Sequence, residues 1–179
     1  MIVNHIIASV TKDDQIKPAL ESRVSRVNLM SGNIMNLKEI IERLHDRGKI
    51  VYVHAEMVKG LGRDAPAVQF LAEEFKADGI ISTKSNMIVA AKNANLKTIQ
   101  RIFAIDTNAL ETGVKMISSS APDEVELMPG LMPRVISDMK SKIDRPLIVG
   151  GLIKHIEEIE AAVQAGADYV SIGNTEYWF

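Results

Sequence analysis

Pro146–Asn174, PLIVGGLIKHIEEIEAAVQAGADYVSIGN, is the stretch whose reading decides the fold. An apolar run, Pro146–Val149, ends in Gly150-Gly151. Ile156, Ile159 and Val163 then recur at helical spacing, and a second apolar run, Tyr169–Ile172, ends in Gly173-Asn174. Two strands joined by one helix form a parallel pair, because parallel strands need a crossover connection. Their carboxyl ends therefore point the same way, and both finish in residues that let backbone N–H groups approach a ligand closely. Paired loops of this kind after the last two strands of a (β/α)8 barrel form a phosphate site. The expectation is a compact α/β chain, one (β/α)8 (TIM) barrel over residues 1–179, built around an anionic small-molecule site.

Working outward, apolar strand-like runs fall near Ile6–Val10, Val27–Met30, Ile50–Val53, Gly79–Ser82, Thr98–Ala104, Val125–Met128, Leu147–Val149 and Tyr169–Ile172. Helical patterns separate nearly all of them. Asn36–Arg47 carries Leu37, Ile40, Ile41 and Leu44 on one face. Ala65–Phe75 and Pro133–Ile143 have a proline in the first turn, where its missing N–H costs little. Thr107–Ile117 carries Leu110, Val114 and Ile117, with Ser118–Ser120 reading as the turn that ends it. The first helix is placed from about Lys17, because Pro18 would break an interior.

Eight strand–helix units leave about 22 residues each, short for such a barrel. Alternating strand and helix signals require a parallel sheet covered by helices. An open doubly wound sheet is the alternative, and the count of eight with paired terminal glycine loops favours closure. Only Thr175–Phe179 follow the last strand, so the final helix is truncated, and Trp178 and Phe179 are expected to plug the outer layer.

Hydrophobic residues make up 46% of the 179-residue chain and charged residues 25%, an ordinary globular balance. There is no cysteine, which removes disulfides and thiolate metal sites. The start, MIVNHIIASVTKDD, lacks the pattern of a signal peptide. No apolar run approaches the roughly 20 residues that span a bilayer. A cytoplasmic protein with no membrane partner is expected. Net charge is −2, whereas nucleic-acid binders usually carry a basic excess, so an RNA contact would need a local patch.

In a barrel of this kind the strand carboxyl ends carry the chemistry. Alternation along IVYVHAEM puts Tyr52, His54 and Glu56 on one face and the apolar Val51, Val53 and Ala55 on the other, so His54 and Glu56 look towards the mouth. They read as a ligand site or as a core histidine satisfied by a carboxylate. Ser82 and Lys84 share a phase. Lys84 reads as a phosphate counter-charge, as a partner for Glu126, or as a solvated rim lysine. Gln100 and Arg101 are adjacent inside an apolar run, so one faces inward and one the helices, and the pattern does not say which. Either needs partners if buried. Glu126, out of phase with Val125 and Leu127, points inward as an ion-pair member or a ligand contact. Gly150, Gly151, Gly173 and Asn174 are the strongest feature, although tight turns also use glycine. Exposed backbone donors and a following helix N-terminus, here beginning Lys154-His155, would favour an anion. The four histidines lie on separate segments, and no metal, nucleophile or nucleotide-loop motif is found.

The wording of these strand ends resembles the glycerol uptake operon antiterminator family. The resemblance is carried by HAEMVKGLGRDAPAVQFL, DGIISTKSN, TIQRIFAIDTNALETG, VELMPGLMP and PLIVGGLI, and extends from IIASV to NTEYW. It implies a (β/α)8-barrel regulator that responds to glycerol 3-phosphate and promotes transcription antitermination on leader mRNA of glycerol-use genes. By the same resemblance the ligand residues fall on His54, Lys84, Gln100, Arg101, Glu126, Gly150, Gly151, Ser171 and Asn174. Glu56 stands where the family has aspartate, Lys59 where it commonly has an acidic residue, and Gly173 where it usually lacks glycine. An effector but no cofactor or metal is implied, and a homo-oligomer is left open. Arg134, Lys140, Lys142 and Arg145 are the candidates for RNA phosphates, against the reading of a solvated helix face. With 4% aromatics there is little scope for base stacking. The alternative from the residues alone is a small barrel enzyme acting on a phosphorylated triose or sugar, with His54 and Glu56 or Glu126 as acid and base. A third reading is a binding protein without RNA activity.

Overall fold

The structure is a computed structural model describing residues 2–179; Met1 lies outside the described residues. Eight strands, β1 (Ile6–Val10), β2 (Arg26–Leu29), β3 (Ile50–His54), β4 (Gly79–Ser82), β5 (Lys97–Phe103), β6 (Glu124–Met128), β7 (Leu147–Gly150) and β8 (Tyr169–Ile172), run in sequence order. Each is parallel to its neighbours, and β8 pairs back onto β1 to close the barrel. The covering helices are α1 (Ile16–Glu21), α2 (Leu37–His45), α3 (Ala65–Glu73), α4 (Ser85–Asn93), α5 (Thr107–Ser120), α6 (Pro133–Lys140) and α7 (Ile156–Gln164).

Strand positions agree with the periodicity to within a residue or so. The helices show three differences. Pro18 is the third residue of α1, within the first turn, where N–H groups have no intrahelical acceptor anyway. α4 was not named from the sequence. Its buried Met87, Ile88 and Ala91 lie in the unbroken apolar run Met87–Ala91, where the exposed Val89 blurs the helical period. α5 runs through the serine triplet instead of ending before it, and stops at Ala121, which is left-handed with φ 46°. A 3-10 turn, Thr175–Trp178, stands where an eighth helix would be. Trp178 is fully buried and donates to the Ile172 carbonyl at 2.9 Å. Phe179, by contrast, is 53% exposed and plugs nothing.

Period-2 alternation sorts the strands into two layers. Outward residues such as Val27, Val51, Val53, Ile80, Val125, Leu127, Val149 and Val170 pack under the helices. Inward, Ile7, Met30, Tyr52, Ile81, Ile99 and Ile148 form a separate apolar core. That inner core is capped at both ends by charge. At the amino end Arg26 pairs with Glu124 across the barrel, and its guanidinium lies 4.2 Å from the Tyr52 ring centroid. Burial of Tyr52 pushes its hydroxyl pKa up to about 12. Three aspartates close the same end by one device. Asp78, Asp123 and Asp168, just before β4, β6 and β8, accept from the amides of Val51, Thr98 and Leu147 at the start of the preceding strand. The carboxyl end holds the second charged layer.

Candidate functional site

β5 and β6 pair with Arg101 opposite Glu126. Both point inward, and Arg101 Nε donates to Glu126 Oε2 at 2.8 Å, with the side chains 5% and 0% exposed. The other carboxylate oxygen accepts from Ser171 Oγ at 2.6 Å. Arg101 Nη2 reaches Met30 Sδ at 3.6 Å. One buried network thus ties β5, β6 and β8 to Met30, just after β2, below the mouth. A charge in such a place survives only when paired and hydrogen-bonded. Here both conditions hold.

Gln100 is the member of the adjacent pair that faces the helices. Its Oε1 accepts from Ser120 Oγ of α5 at 3.1 Å, and it is fully buried. It is therefore removed from the ligand residues. Ser120, which holds it, was passed over because its triplet read as a turn.

His54 ends β3 and looks inward as alternation requires. Glu56 follows in a 3-10 turn, Ala55–Met57, and swings towards β4, where its Oε1 accepts from Ser82 Oγ and from the Thr83 amide at 3.3 Å. Its Oε2 lies 3.2 Å from His54 Nδ1, but the two are not aligned as a hydrogen bond. Both atoms are buried polar atoms without a partner, a costly arrangement unless something else meets them. Burial and the Arg101 guanidinium push the His54 pKa down to about 4, against the pull of Glu56 and Glu126. The imidazole is neutral at pH 7.

This gives a test of the geometry. The unfolded chain protonates His54 near its ordinary 6.5, while the folded chain waits until about 4. Stability should therefore fall as pH drops through that window, by up to about 3 kcal/mol once both states are protonated. Urea unfolding near pH 7 and near pH 5 should show the loss in the wild type and a shallower one in His54→Gln. Equal slopes for the two proteins would mean that His54 is not held neutral.

At the glycine loops the structure is selective. Gly150 pairs with Ser171, and a Cβ on Gly150 would overlap Ser171 Oγ and come within 2.9 Å of the Ser171 carbonyl oxygen. Glycine is required there. Gly151 is left-handed at φ +78°, and so is Leu152 at φ 64°, a conformation unfavourable for a leucine that is 68% exposed. Gly173 has room for a Cβ, with its nearest neighbour at 3.5 Å. Asn174 spends its side-chain oxygen on the Glu176 amide. The amino end of α7 is also occupied, because the Lys154 and His155 amides both donate to Glu158 Oε2, at 2.7 and 3.0 Å. That corrects the expectation that α7 offers its N-terminus to an anion. The amides of Gly151, Leu152, Gly173 and Asn174 donate to no protein acceptor among the described residues.

Lys84 precedes α4, is exposed, and does not reach Glu126, whose two oxygens are taken by Arg101 and Ser171. Of the four cations considered for RNA, three have partners within the chain. Arg134 pairs with Asp138 at 3.0 Å, Lys140 with Asp168 at 2.6 Å, and Arg145 donates to the Pro122 carbonyl at 2.6 Å. Lys142 is exposed. They are spread from one end of α6 to the loop beyond it and form no single patch. No group of three or more metal-ligating side chains occurs among the described residues. Among the described residues no helix is long and apolar enough to cross a membrane.

A closed ring of eight parallel strands in chain order, covered by helices, defines a (β/α)8 barrel. The chain belongs to the glycerol-3-phosphate responsive antiterminator family, whose sequence profile matches residues 6–178. It is similar to the crystal structure of a glycerol uptake operon antiterminator regulatory protein from Listeria monocytogenes, with 35% identity, a TM-score of 0.93, and 97% of this chain and 94% of that one covered. A glycerol uptake operon antiterminator-related protein from Thermotoga maritima matches at 32% identity and a TM-score of 0.87, over 98% of both chains. The uncharacterised protein YgcP of Escherichia coli K12 is 33% identical over 175 residues, which is 98% of this chain and 92% of that protein.

Proposed function

We propose that the chain is a cytoplasmic regulator that binds glycerol 3-phosphate at the barrel mouth, and leader mRNA elsewhere, to promote antitermination of glycerol-use genes. It acts without chemistry on the ligand. The observation that carries the ligand half is the set of free amides on two loops whose strands touch at Gly150 and Ser171. Backbone donors of this kind suit a phosphate, and two of them belong to the left-handed pair Gly151-Leu152. Lys84, exposed at the end of β4, supplies long-range positive charge. His54 Nδ1 and Glu56 Oε2, buried and without partners, then take the glycerol hydroxyls as donor and acceptor. Arg101 and Glu126 hold the floor rather than the ligand.

The RNA half rests on family membership. Its mechanism is a population shift, in which the ligand binds the RNA-competent state better and so favours it. Thermal unfolding with glycerol 3-phosphate at millimolar concentration should raise the melting temperature. A gel shift with the glycerol-gene leader RNA should show a ligand-dependent complex. Absence of any complex, with or without ligand, removes the regulator reading, and turnover of a phosphorylated triose or sugar would replace it with the enzyme.

A further inference from the structure

Ser82 and Gln100 stand outside the ligand contacts proposed above, yet both are fully buried polar residues. They are register partners, the last residue of β4 beside the middle of β5. Alternation puts Ser82 on the helix side of the sheet with Gln100, because Ile80 belongs to the outer core and Ile81 to the inner one. A buried hydroxyl and a buried carboxamide need partners, and the partners decide what the two residues do.

Ser82 Oγ accepts from the Lys84 amide at 3.0 Å and donates to Glu56 Oε1, to which the Thr83 amide also donates at 3.3 Å. The Lys84 carbonyl, another acceptor in range, is neutral and 3.4 Å away, so the single hydroxyl proton goes to the carboxylate. The start of the loop after β4 thus closes around one oxygen of Glu56. The other, Oε2, is left on the inner side beside His54 Nδ1. Glu56 sits in a 3-10 turn beyond the end of β3, where strand pairing no longer fixes its direction, and these bonds from β4 fix it instead. Behind them stands Gln100. Its Nε2 donates to the Ser82 carbonyl at 3.5 Å and its Oε1 accepts from Ser120 Oγ at 3.1 Å. A line of hydrogen bonds therefore runs from α5 through β5 and the end of β4 to Glu56.

We propose that Ser82 is a positioning residue of the ligand site, supported by Gln100, and that it holds Glu56 with one carboxylate oxygen ready for a ligand hydroxyl. The inference rests on the reading of Glu56 as a hydroxyl acceptor and adds the residues that make it one. A carboxylate oxygen only accepts hydrogen bonds, so one held in place selects a phosphate ester with hydroxyls over a bare chain of the same length. Without Ser82 the Glu56 side chain would have to be ordered as the ligand binds, and the hydroxyls would be read less well.

Isothermal titration of the full chain with glycerol 3-phosphate and with propyl phosphate tests this, because the two share a phosphate and three carbons and differ in the hydroxyls. The wild type should bind glycerol 3-phosphate the more tightly. In Ser82→Ala that preference should fall by about tenfold, the size of one charge-assisted hydrogen bond, while affinity for propyl phosphate stays as in the wild type. Gln100→Leu should lower the preference by less, since its bond to Ser82 is long. Thr98→Val is the matched control. Thr98 Oγ1 also donates to a carboxylate, that of Asp123, and accepts from a backbone amide, both at 2.9 Å, but at the opposite end of the barrel. This variant should melt at a lower temperature and keep the preference. An unchanged preference in Ser82→Ala, an equal loss of both ligands there, or a similar fall in Thr98→Val would overturn the positioning role alone. Equal binding of the two ligands by the wild type would remove the hydroxyl reading of Glu56 as well. Should the wild type bind neither, the phosphate reading fails and the positioning role with it.

Discussion

Arg101→Met should lower the stability of the folded chain by about 3–5 kcal/mol, the range for removing one partner of a buried ion pair. The reason is what remains. Glu126 is fully buried and would keep only the Ser171 hydroxyl, which cannot neutralise a carboxylate inside an apolar barrel. Glu126→Gln leaves a guanidinium uncompensated and should cost a similar amount. The double variant, Arg101→Met with Glu126→Gln, removes both charges while keeping an acceptor for Ser171. It should therefore lose less than either single change. Urea unfolding of the three variants checks this, and a double variant as unstable as the two losses added together would mean that the pair is not coupled.

This network also shows how far the sequence can be read. The inward phase of Glu126 follows from Val125 and Leu127 on either side, because a strand buries alternate residues on alternate faces. His54 followed in the same way from Val51 and Val53. Gln100 and Arg101 did not follow, since two adjacent polar residues satisfy the alternation equally well in either order. Their partners, Ser120 and Glu126, lie 20 and 25 residues further along the chain, and they decide it. The final strand–helix–strand unit gave the direction and adjacency of the glycine loops. It hid the occupation of the α7 amino end, although Glu158 three residues after His155 is the spacing at which an acid reaches back to free amides. The hold of Ser82 on Glu56 had no periodic signature. It joins the turn after β3 to the end of β4, 26 residues further on, a contact that no local pattern encodes.

The two charged layers differ in what they ask of the fold. At the amino end Arg26 has Glu124 and an aromatic face, although its Nε and the side-chain amide of Asn28 are also buried without partners. At the carboxyl end the floor is satisfied by Arg101, Glu126 and Ser171, while His54 Nδ1 and Glu56 Oε2 above it are left without partners. A closed parallel barrel could fill both ends with apolar side chains at lower desolvation cost. Unpartnered polar atoms occur in both layers, but only at the carboxyl end do they lie beneath free loop amides, and there a polar ligand gains most, because it meets groups that water has already left.

Gly150→Ala separates the ligand claim from the fold claim. The added methyl would overlap Ser171 Oγ and stand 2.9 Å from the Ser171 carbonyl oxygen and 3.2 Å from Met128 Cε. The hydroxyl can rotate away only by giving up its bond to Glu126, and the carbonyl belongs to the β8 backbone, so β7 and β8 must part. Overpacking of this kind costs about 1–3 kcal/mol, and the lost charged hydrogen bond adds about 1.5–3. Because the free amides sit just beyond this contact, affinity for glycerol 3-phosphate should fall by more than about tenfold, since misplacing a preorganised donor set by an ångström is enough. Gly151→Ala is the control. Its Cβ would have ordinary contacts, the nearest at 3.7 Å, so only the left-handed backbone objects, at about 1 kcal/mol. Titration of both variants, under conditions where each is still folded by circular dichroism, should show Gly150→Ala weakened far more than Gly151→Ala. Wild-type affinity in folded Gly150→Ala would place the phosphate away from these loops.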